Sequence, residues 1–334
     1  MKTIGRESRF CLYCLSARAI VRLRNMKAVL LFPGQGAQKV GMGHDLCEKY
    51  PEVLELFERA DAALGFPLSK IMFEGPDEEL TRTCYCQPAL YLHGLACLKV
   101  LRALSPIEPS AAAGLSLGEF TAHAAVGSFG FDEGLRIVQK RGALMEEACH
   151  ATEGAMAAMI GGSDEAAAAL AAECGVDVAN YNCPGQIVLS GTKDGIDKAV
   201  AGAKQAGFKL AKKLNVAGAY HSRLMKTAQE QLIPELEKLE IHLADVPVYC
   251  NYEARAVTDA GDVRRMLSAQ VCGSVRWAAS MKDLTDKGER LFLELGPGKT
   301  LAGMMSRICK EATVISMEDV PSILAAAETL RNMS

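Results

Sequence analysis

The chain has 334 residues, more than an ordinary single domain, so we expect one large domain with a smaller one inserted or appended. Its composition, 49% hydrophobic and 23% charged, is typical of a globular protein, and no apolar run approaches the roughly 18 residues of a membrane-spanning helix. The formal net charge is −3, without the stripe of basic and aromatic residues that marks a nucleic-acid binder. We therefore expect a soluble protein with no nucleic-acid partner and no membrane.

Residues 1–25 differ in composition from the rest of the chain. They contain six basic residues and a single acid, Glu7, and a fold-like pattern starts only at Met26. Such a basic segment is compatible with an organelle transit peptide, with a start codon assigned too far upstream, or with a disordered tail. We treat it as an N-terminal extension outside the fold.

The twelve cysteines are scattered through the chain and do not form the regular framework of a small secreted domain. We expect most of them to be buried, reduced thiols of a cytoplasmic protein. Two close pairs, Cys11 with Cys14 and Cys84 with Cys86, lack further ligands at the spacing of a zinc site. We therefore predict no metal site.

Strands and helices alternate in the first half of the chain. An apolar run at residues 27–32 ends in Pro-Gly-Gln-Gly and predicts a buried strand, and a second short strand is predicted at 110–114. Apolar residues recur at helical spacing in four segments: 42–64, 87–104, 120–126 and 131–148. This alternation predicts an α/β architecture around a parallel sheet.

The pattern changes at about residue 153. Short strands are predicted at 155–160, 186–190 and 208–216, with helices at 164–174 and 193–206. We interpret residues 153–219 as a small ferredoxin-like β-α-β-β-α-β domain, inserted into a large domain of residues 26–152 and 220–318. Strands at 246–250 and 290–295 then return to the main sheet, and residues 319–334 are expected to form a C-terminal tail.

The sequence Gly114-Leu-Ser116-Leu-Gly118 lies between a predicted strand and a predicted helix. Glycines at both ends permit a sharp turn that exposes the serine hydroxyl, which is the pattern of a nucleophile elbow. The amide of Leu117, at the start of the helix, would face a developing oxyanion. In this context Ser116 is the candidate nucleophile.

A serine hydroxyl needs a general base, and six histidines are available. Five lie within or next to helical segments, where a packed or solvated role is expected: His44, His93, His123, His150 and His242. His221 instead lies in a loop just after a predicted strand, a position typical of catalytic groups. It is the preferred base.

Seven motifs occur in a fixed order along the chain: FPGQGAQ (32–38), GLSLGE (114–119), QKRGALM (139–145), YNCPGQI (181–187), HSRLM (221–225), VRW (275–277) and ELGPGK (294–299). Together they resemble the malonyl-coenzyme A:acyl carrier protein transacylase family, over roughly residues 26 to 315. The resemblance implies an α/β-hydrolase-like large domain with an inserted ferredoxin-like one.

The resemblance also implies roles for individual residues. Ser116 would be the nucleophile and His221 the general base, and the backbone amides of Gln35 and Leu117 would form the oxyanion hole. The family uses a backbone carbonyl behind the histidine, where hydrolases place a carboxylate, and the matching position is Gln270. Its location would then matter more than its side chain.

Arg141 lies 25 residues after the serine on the next predicted helix. A guanidinium pairs with a carboxylate through two parallel hydrogen bonds, so an arginine beside the serine would select a carboxylated acyl group such as malonyl. Without the other motifs, an arginine that neutralises Glu146 or Glu147 on the same helix would be the preferred interpretation.

The resemblance implies malonyl transfer from malonyl-CoA to the phosphopantetheine thiol of acyl carrier protein, through an acyl-Ser116 ester and without a cofactor, supplying fatty acid synthesis. We expect a free-standing, monomeric enzyme in the cytoplasm. Three alternatives remain at this point: a serine esterase or thioesterase with the same elbow, a malonyltransferase that serves polyketide synthesis, and a catalytically silent scaffold that binds carrier protein.

Overall fold

The computed structural model describes residues 26–242, residue 244 and residues 246–333; the basic extension at 1–25 lies outside them. The described strands are β1 (Met26–Phe32), β2 (Ile107–Gly114), β3 (Gly154–Ile160), β4 (Asp177–Cys183), β5 (Gln186–Thr192), β6 (Leu210–Lys213), β7 (Val248–Tyr249), β8 (Ala256–Val257), β9 (Leu291–Leu295) and β10 (Thr313–Met317).

The helices connect these strands and cover them. In chain order they are α1 (His44–Lys49), α2 (Pro51–Leu64), α3 (Leu68–Glu74), α4 (Asp77–Thr81), α5 (Thr83–Leu104), α6 (Leu117–Ala125), α7 (Phe131–Ala151), α8 (Asp164–Cys174), α9 (Lys193–Gly202), α10 (Lys226–Lys238), α11 (Ala260–Ala269), α12 (Trp277–Asp286), α13 (Thr300–Ile308) and α14 (Val320–Met333).

The larger sheet has the strand order β10-β9-β1-β2-β7-β8 and is parallel except for the β7–β8 pair. Both of its faces are buried. In β1, Leu30 and Phe32 pack into one hydrophobic core, whereas Val29 and Leu31 pack into another. Successive side chains of a strand point to opposite faces, so an apolar run such as β1 suits a sheet covered on both sides.

The smaller sheet is antiparallel, with the order β4-β5-β3-β6, and has a core of its own that includes Met159, Leu189 and Ile196. One edge of this sheet joins the rest of the molecule, because the N–H of Tyr181 donates to the carbonyl of Val275 at 2.9 Å. The N–H of Val275 donates in turn to the carbonyl of Ala179 at 2.8 Å. The smaller sheet is therefore anchored beside the larger one.

The expected α/β architecture with a largely parallel main sheet is confirmed. The helix expected at 42–64 is divided into α1 and α2, because Tyr50 is extended and Pro51 starts the second helix. Proline disfavours helical backbone in the residue before it. Residues 319–334, expected to form a tail, contain α14, whose Ile323 and Leu330 are buried in the main core.

The turn between β2 and α6 is unusually close-packed. A side chain at Gly114 would meet the backbone of Gly118, and one at Gly118 would lie 2.1 Å from the carbonyl oxygen of Phe32 in β1. Glycine is therefore required at both positions, and this brings the start of α6 directly over the ends of the two central strands.

A methyl group at Gly114 would lie 1.9 Å from the carbonyl carbon and oxygen of Gly118. We expect Gly114→Ala to lower the free energy of unfolding by about 3 kcal/mol or more, because backbone has to move to relieve the overlap. Chemical denaturation measures this loss.

Gly303→Ala is the matched control for this change. Gly303 lies within α13 with no atom near enough to contact an added methyl group. Alanine there should be neutral or stabilising by up to about 1 kcal/mol. Equal stability of the two variants would contradict the packing argument.

Candidate active site

A cavity of about 310 Å³ opens where the carboxyl ends of β1 and β2 face the smaller sheet. Loops at this edge of a parallel sheet commonly bind ligands. Five of the predicted site residues line the cavity: Gln35, Ser116, Leu117, Arg141 and His221. Apolar side chains from the smaller sheet, from the residue after β6 and from α7 and α13 complete the wall, including Met145, Met156, Val188, Leu214 and Met304.

Ser116 occupies the sharp turn between β2 and α6 with φ 54° and ψ −106°. Backbone in such a sparsely populated region costs on the order of 1–3 kcal/mol and persists only where the surroundings impose it. The Ser116 Oγ lies 2.7 Å from Nε2 of His221 and accepts a hydrogen bond from Arg141 Nη2 at 3.0 Å. The hydroxyl is thus held between a base and a cation.

His221 is also in a left-handed conformation, with φ 55°. Its Nδ1 lies 2.7 Å from the carbonyl oxygen of Gln270. A carbonyl only accepts hydrogen bonds, so Nδ1 carries the proton and the lone pair of Nε2 faces the Ser116 hydroxyl. Only 4% of His221 is exposed, and burial together with the Arg141 charge lowers the pKa of its imidazole to about 4. The ring is therefore neutral at physiological pH and can accept a proton.

The side chain of Gln270 has its own contacts. Its Oε1 accepts a hydrogen bond from Arg141 Nη2 at 2.7 Å, and its Nε2 donates to the carbonyl of Ser116 at 3.0 Å. The resemblance implied that the location of Gln270 matters more than its side chain, and in the structure the side chain makes contacts as well. The carbonyl orients the histidine, and the amide connects the arginine to the serine turn.

Arg141 is fully enclosed, with 1% of its surface exposed. Its Nη1 donates to Oε1 of Gln87 at 2.6 Å, and its guanidinium lies 5.4 Å from the ring centroid of Phe120. Only three of the five N–H groups that a guanidinium offers have partners among the described residues. The two N–H groups without a partner are the buried Nε–H and the second N–H of Nη1.

No carboxylate forms a salt bridge with Arg141 in the described part of the chain. Glu146, the alternative partner considered from the sequence, instead accepts hydrogen bonds from Arg82 at 2.8 and 3.0 Å. Burial lowers the pKa of Arg141 to about 10, so it stays charged at neutral pH. A buried cation without an ion-pair partner is costly, and an anionic ligand would offset that cost.

Gln35 and Leu117 line the cavity together with Ser116. Within the described residues, neither backbone N–H donates a hydrogen bond to another protein group. The side chain of Gln35 is tied to Tyr220, whose hydroxyl lies 3.5 Å from Gln35 Nε2 and 2.6 Å from Thr83 Oγ1. The two amides are thus available to an oxyanion formed at the serine.

The other histidines lie outside the cavity. His93 and His123 are buried, and the side chains of His44 and His242 are more than half exposed. This agrees with the packed or solvated roles expected of them.

Three residues that contact the site were not found from the sequence: Gln87, Glu119 and Asn251. Gln87 starts a segment that is simply helical by pattern, and Glu119 belongs to the GLSLGE motif, where no separate role was assigned to it. Asn251 follows a strand of only two residues. Its position at a strand end, beside the elbow, was the one available signal.

The described residues include no group of three or more His, Cys, Asp or Glu side chains placed to hold a metal ion. None of the helices among them is long and apolar enough to cross a membrane.

Comparison with known proteins gives consistent results. Residues 29–332 match the family model of the acyl transferase domain. The chain is 42% identical over 310 residues to the malonyl CoA-acyl carrier protein transacylase of Bacillus subtilis, covering 91% of this chain and 98% of the relative. It is 38% identical over 301 residues to the protein of the same name from Escherichia coli K12, covering 89% and 97%.

Solved structures are similar over the same region. The malonyl CoA-acyl carrier protein transacylase of Coxiella burnetii aligns with a TM-score of 0.88 at 34% identity, covering 92% of this chain and 98% of that one. A malonyl-transacylase solved in complex with a type II PKS acyl-carrier protein also aligns with a TM-score of 0.88 at 34% identity, covering 91% and 100%.

The low pKa of His221 predicts the pH dependence of Ser116 reactivity. The base expected from the sequence is His221; a base works only when it is neutral, so protonation below its pKa would stop proton removal from the hydroxyl. Because that pKa is lowered from 6.5 to about 4, modification of Ser116 by a serine-reactive sulfonyl fluoride should stay constant down to about pH 5 and fall below it. The initial rate of modification is measured across pH, with circular dichroism as a check on folding and Ser116→Ala as the blank. A midpoint near pH 6.5 would contradict this.

Proposed function

This chain belongs to the acyl transferase family that includes the malonyl CoA-acyl carrier protein transacylases, and from that premise we propose that it works through a malonyl ester on Ser116. It is an acyltransferase that moves malonyl from coenzyme A to acyl carrier protein, a step of fatty acid biosynthesis. The observation that carries the acyl specificity is the buried Arg141, which faces Ser116 with no carboxylate of the described chain paired to it.

In the first half-reaction, Oγ of Ser116 attacks the thioester carbonyl of malonyl-CoA while Nε2 of His221 takes the hydroxyl proton. The negative charge passes to the carbonyl oxygen, where the amides of Gln35 and Leu117 donate hydrogen bonds worth about 3 kcal/mol each. The carbon–sulfur bond then breaks. The coenzyme A sulfur leaves with the proton from His221, and malonyl remains as an ester on Ser116.

The second half-reaction reverses these roles. The phosphopantetheine thiol of the carrier gives its proton to His221 and attacks the ester carbonyl. The same two amides stabilise the oxyanion, the carbon–oxygen bond breaks, and the proton returns from His221 to Oγ of Ser116. The neutral imidazole supports both steps, because each begins with the removal of a proton.

Arg141 holds the free carboxylate of malonyl in this mechanism. One N–H of Nη1 has no partner among the described residues, and the contact of Nη2 with Ser116 Oγ at 3.0 Å places the cation next to the acylated atom. Gln87 and Gln270 orient the guanidinium from both sides. A thioesterase acting on uncharged acyl groups would gain nothing from burying this charge.

The proposal also covers the carrier partner, the oligomeric state and the cellular compartment of the protein. The six residues of the site come from a single chain, which supports a monomer as the working unit. The ten described cysteines are free thiols, which supports a reducing compartment such as the cytoplasm. Similarity to the malonyl-transacylase in complex with a type II PKS acyl-carrier protein keeps polyketide synthesis as the second candidate pathway.

We also propose the domain organisation expected from the sequence. Residues 26–152 and 220–318 would form an α/β-hydrolase-like domain, and residues 153–219 a ferredoxin-like insertion. The order β3-α8-β4-β5-α9-β6 and the separate core of the smaller sheet support the insertion. The antiparallel arrangement of that sheet supports it further.

Intact-mass spectrometry tests the proposed chemistry. With malonyl-CoA alone, the protein should gain one malonyl group, located on Ser116 by peptide mapping, and addition of phosphopantetheinylated carrier protein should move that group to the carrier. Ser116→Ala should gain nothing. Release of free malonate as fast as transfer would indicate a thioesterase, and the absence of any acyl-enzyme would indicate a silent scaffold.

Removal of the Arg141 guanidinium separates acyl recognition from catalysis. Arg141→Ala should lower malonyl transfer by about 100-fold or more, because it leaves a buried carboxylate without its partner. Acetyl transfer, measured on the same variant, should fall much less. Arg59→Ala removes an arginine from a surface ion pair with Asp132 and serves as the control, with both activities retained. Equal losses of malonyl and acetyl transfer in Arg141→Ala would refute carboxylate binding.

A further inference from the structure

Asn251 lies directly beside the serine turn. It comes two residues after the end of β7, which pairs with β2 so that Tyr249 is opposite Ala113. Because β7 ends there, no strand continues on that side of β2 alongside the residues that follow Ala113. Asn251 occupies that place and is 2% exposed.

The side-chain amide of Asn251 bridges the two ends of the turn. Its Oδ1 accepts a hydrogen bond from the N–H of Ser116 at 2.6 Å, and its Nδ2 donates to the carbonyl of Gly114 at 2.7 Å. One planar group thus satisfies a donor and an acceptor that the strand ladder leaves unpaired. This arrangement supports the strained backbone of Ser116 from outside the turn.

The same contact determines which amides remain for the substrate. With the N–H of Ser116 directed to Asn251, the next N–H along the chain belongs to Leu117, which has no partner among the described residues. Rotation of the turn would move both the Oγ of Ser116 and this amide. Asn251 therefore influences the positions of both the nucleophile and the oxyanion hole.

Glu119 fixes Asn251 from the first turn of α6. Its Oε2 accepts a hydrogen bond from the backbone N–H of Asn251 at 2.9 Å and another from Nε2 of Gln270 at 3.2 Å. Glu119 is fully buried, and it makes no salt bridge within the described residues. One carboxyl group therefore links the residue that supports the serine turn to the residue that orients His221 and Arg141.

We propose that Asn251 is a positioning residue for acyl transfer, which holds the Ser116 turn in its reactive shape, and that Glu119 anchors it there. Neither side chain touches the substrate. The proposal rests on the acyl-Ser116 mechanism given above, and it predicts that these residues affect the rate of ester formation and not the binding of malonyl-CoA.

The test is the single-turnover rate of malonyl-ester formation on Ser116, followed by quenched-flow mass spectrometry over a range of malonyl-CoA concentrations. Asn251→Ala should lower the saturating rate by about 100-fold, because misplacement of a catalytic group by about 1 Å can cost that much. The malonyl-CoA concentration at half-saturation should stay as in wild type. Asn251→Asp keeps the acceptor for Ser116 but loses the donor to Gly114, and should lose less.

Tyr249→Phe is the matched structural control. Tyr249 ends β7, two residues before Asn251, and packs in the core that contains Val29 and Leu31; its hydroxyl donates to Asp283 at 2.5 Å. This variant should lose thermal stability and keep the wild-type acylation rate. Glu119→Gln, which retains an oxygen acceptor, should stay closer to wild type than Glu119→Ala.

The outcomes separate this proposal from the proposed function. If wild type forms no ester, the function itself is refuted. If wild type forms the ester and folded Asn251→Ala forms it equally fast, the positioning role is overturned. The positioning role is also overturned if Asn251→Asp and Tyr249→Phe both lose acylation rate in proportion to their loss of thermal stability. This second comparison decides the question even if Asn251→Ala does not fold.

Discussion

The turn at Ser116 is the constraint on which the active site depends. Its backbone is strained, and it is possible only because Gly114 and Gly118 let β2, α6 and the end of β1 approach within contact of one another. Strain of this kind has to be offset by surrounding contacts. The hydrogen bonds of Asn251 to both ends of the turn, and of Gln270 to the carbonyl of Ser116, supply them.

Burial sets the charge states in the cavity. It keeps the imidazole of His221 neutral, with a pKa of about 4, and it leaves Arg141 charged, with a pKa of about 10. It also raises the pKa of Glu119 to about 8, so the nearest carboxyl group does not reliably neutralise the arginine. The site thus combines a base that is ready to accept a proton with a cation that has room for an anion.

Much of the fold follows from local sequence. The apolar run of β1 and its Gly-rich end identify a buried strand, because only a strand covered on both faces tolerates so many consecutive apolar residues. Ser116 was identified from the glycines on either side of it. The roles of its partners were inferred from the resemblance carried by the ordered motifs and not from a physical argument. Strand β4 was not located, since its sequence DVANYNC has no regular alternation of polar and apolar residues. Helix α14 was missed although Asp319 and Pro321 at its start are typical helix-start residues.

The sequence by itself determined the α/β class and the elbow pattern at Ser116, because these depend on residue types at short spacing. Only the tertiary structure decided how the groups meet. The contacts of Arg141 with Gln87, of His221 with Gln270 and of Ser116 with Asn251 each join residues 49 or more positions apart. Spacing along the chain holds no information about such contacts. They arise where parallel strands end at a common edge, and there burial sets the charge of each group.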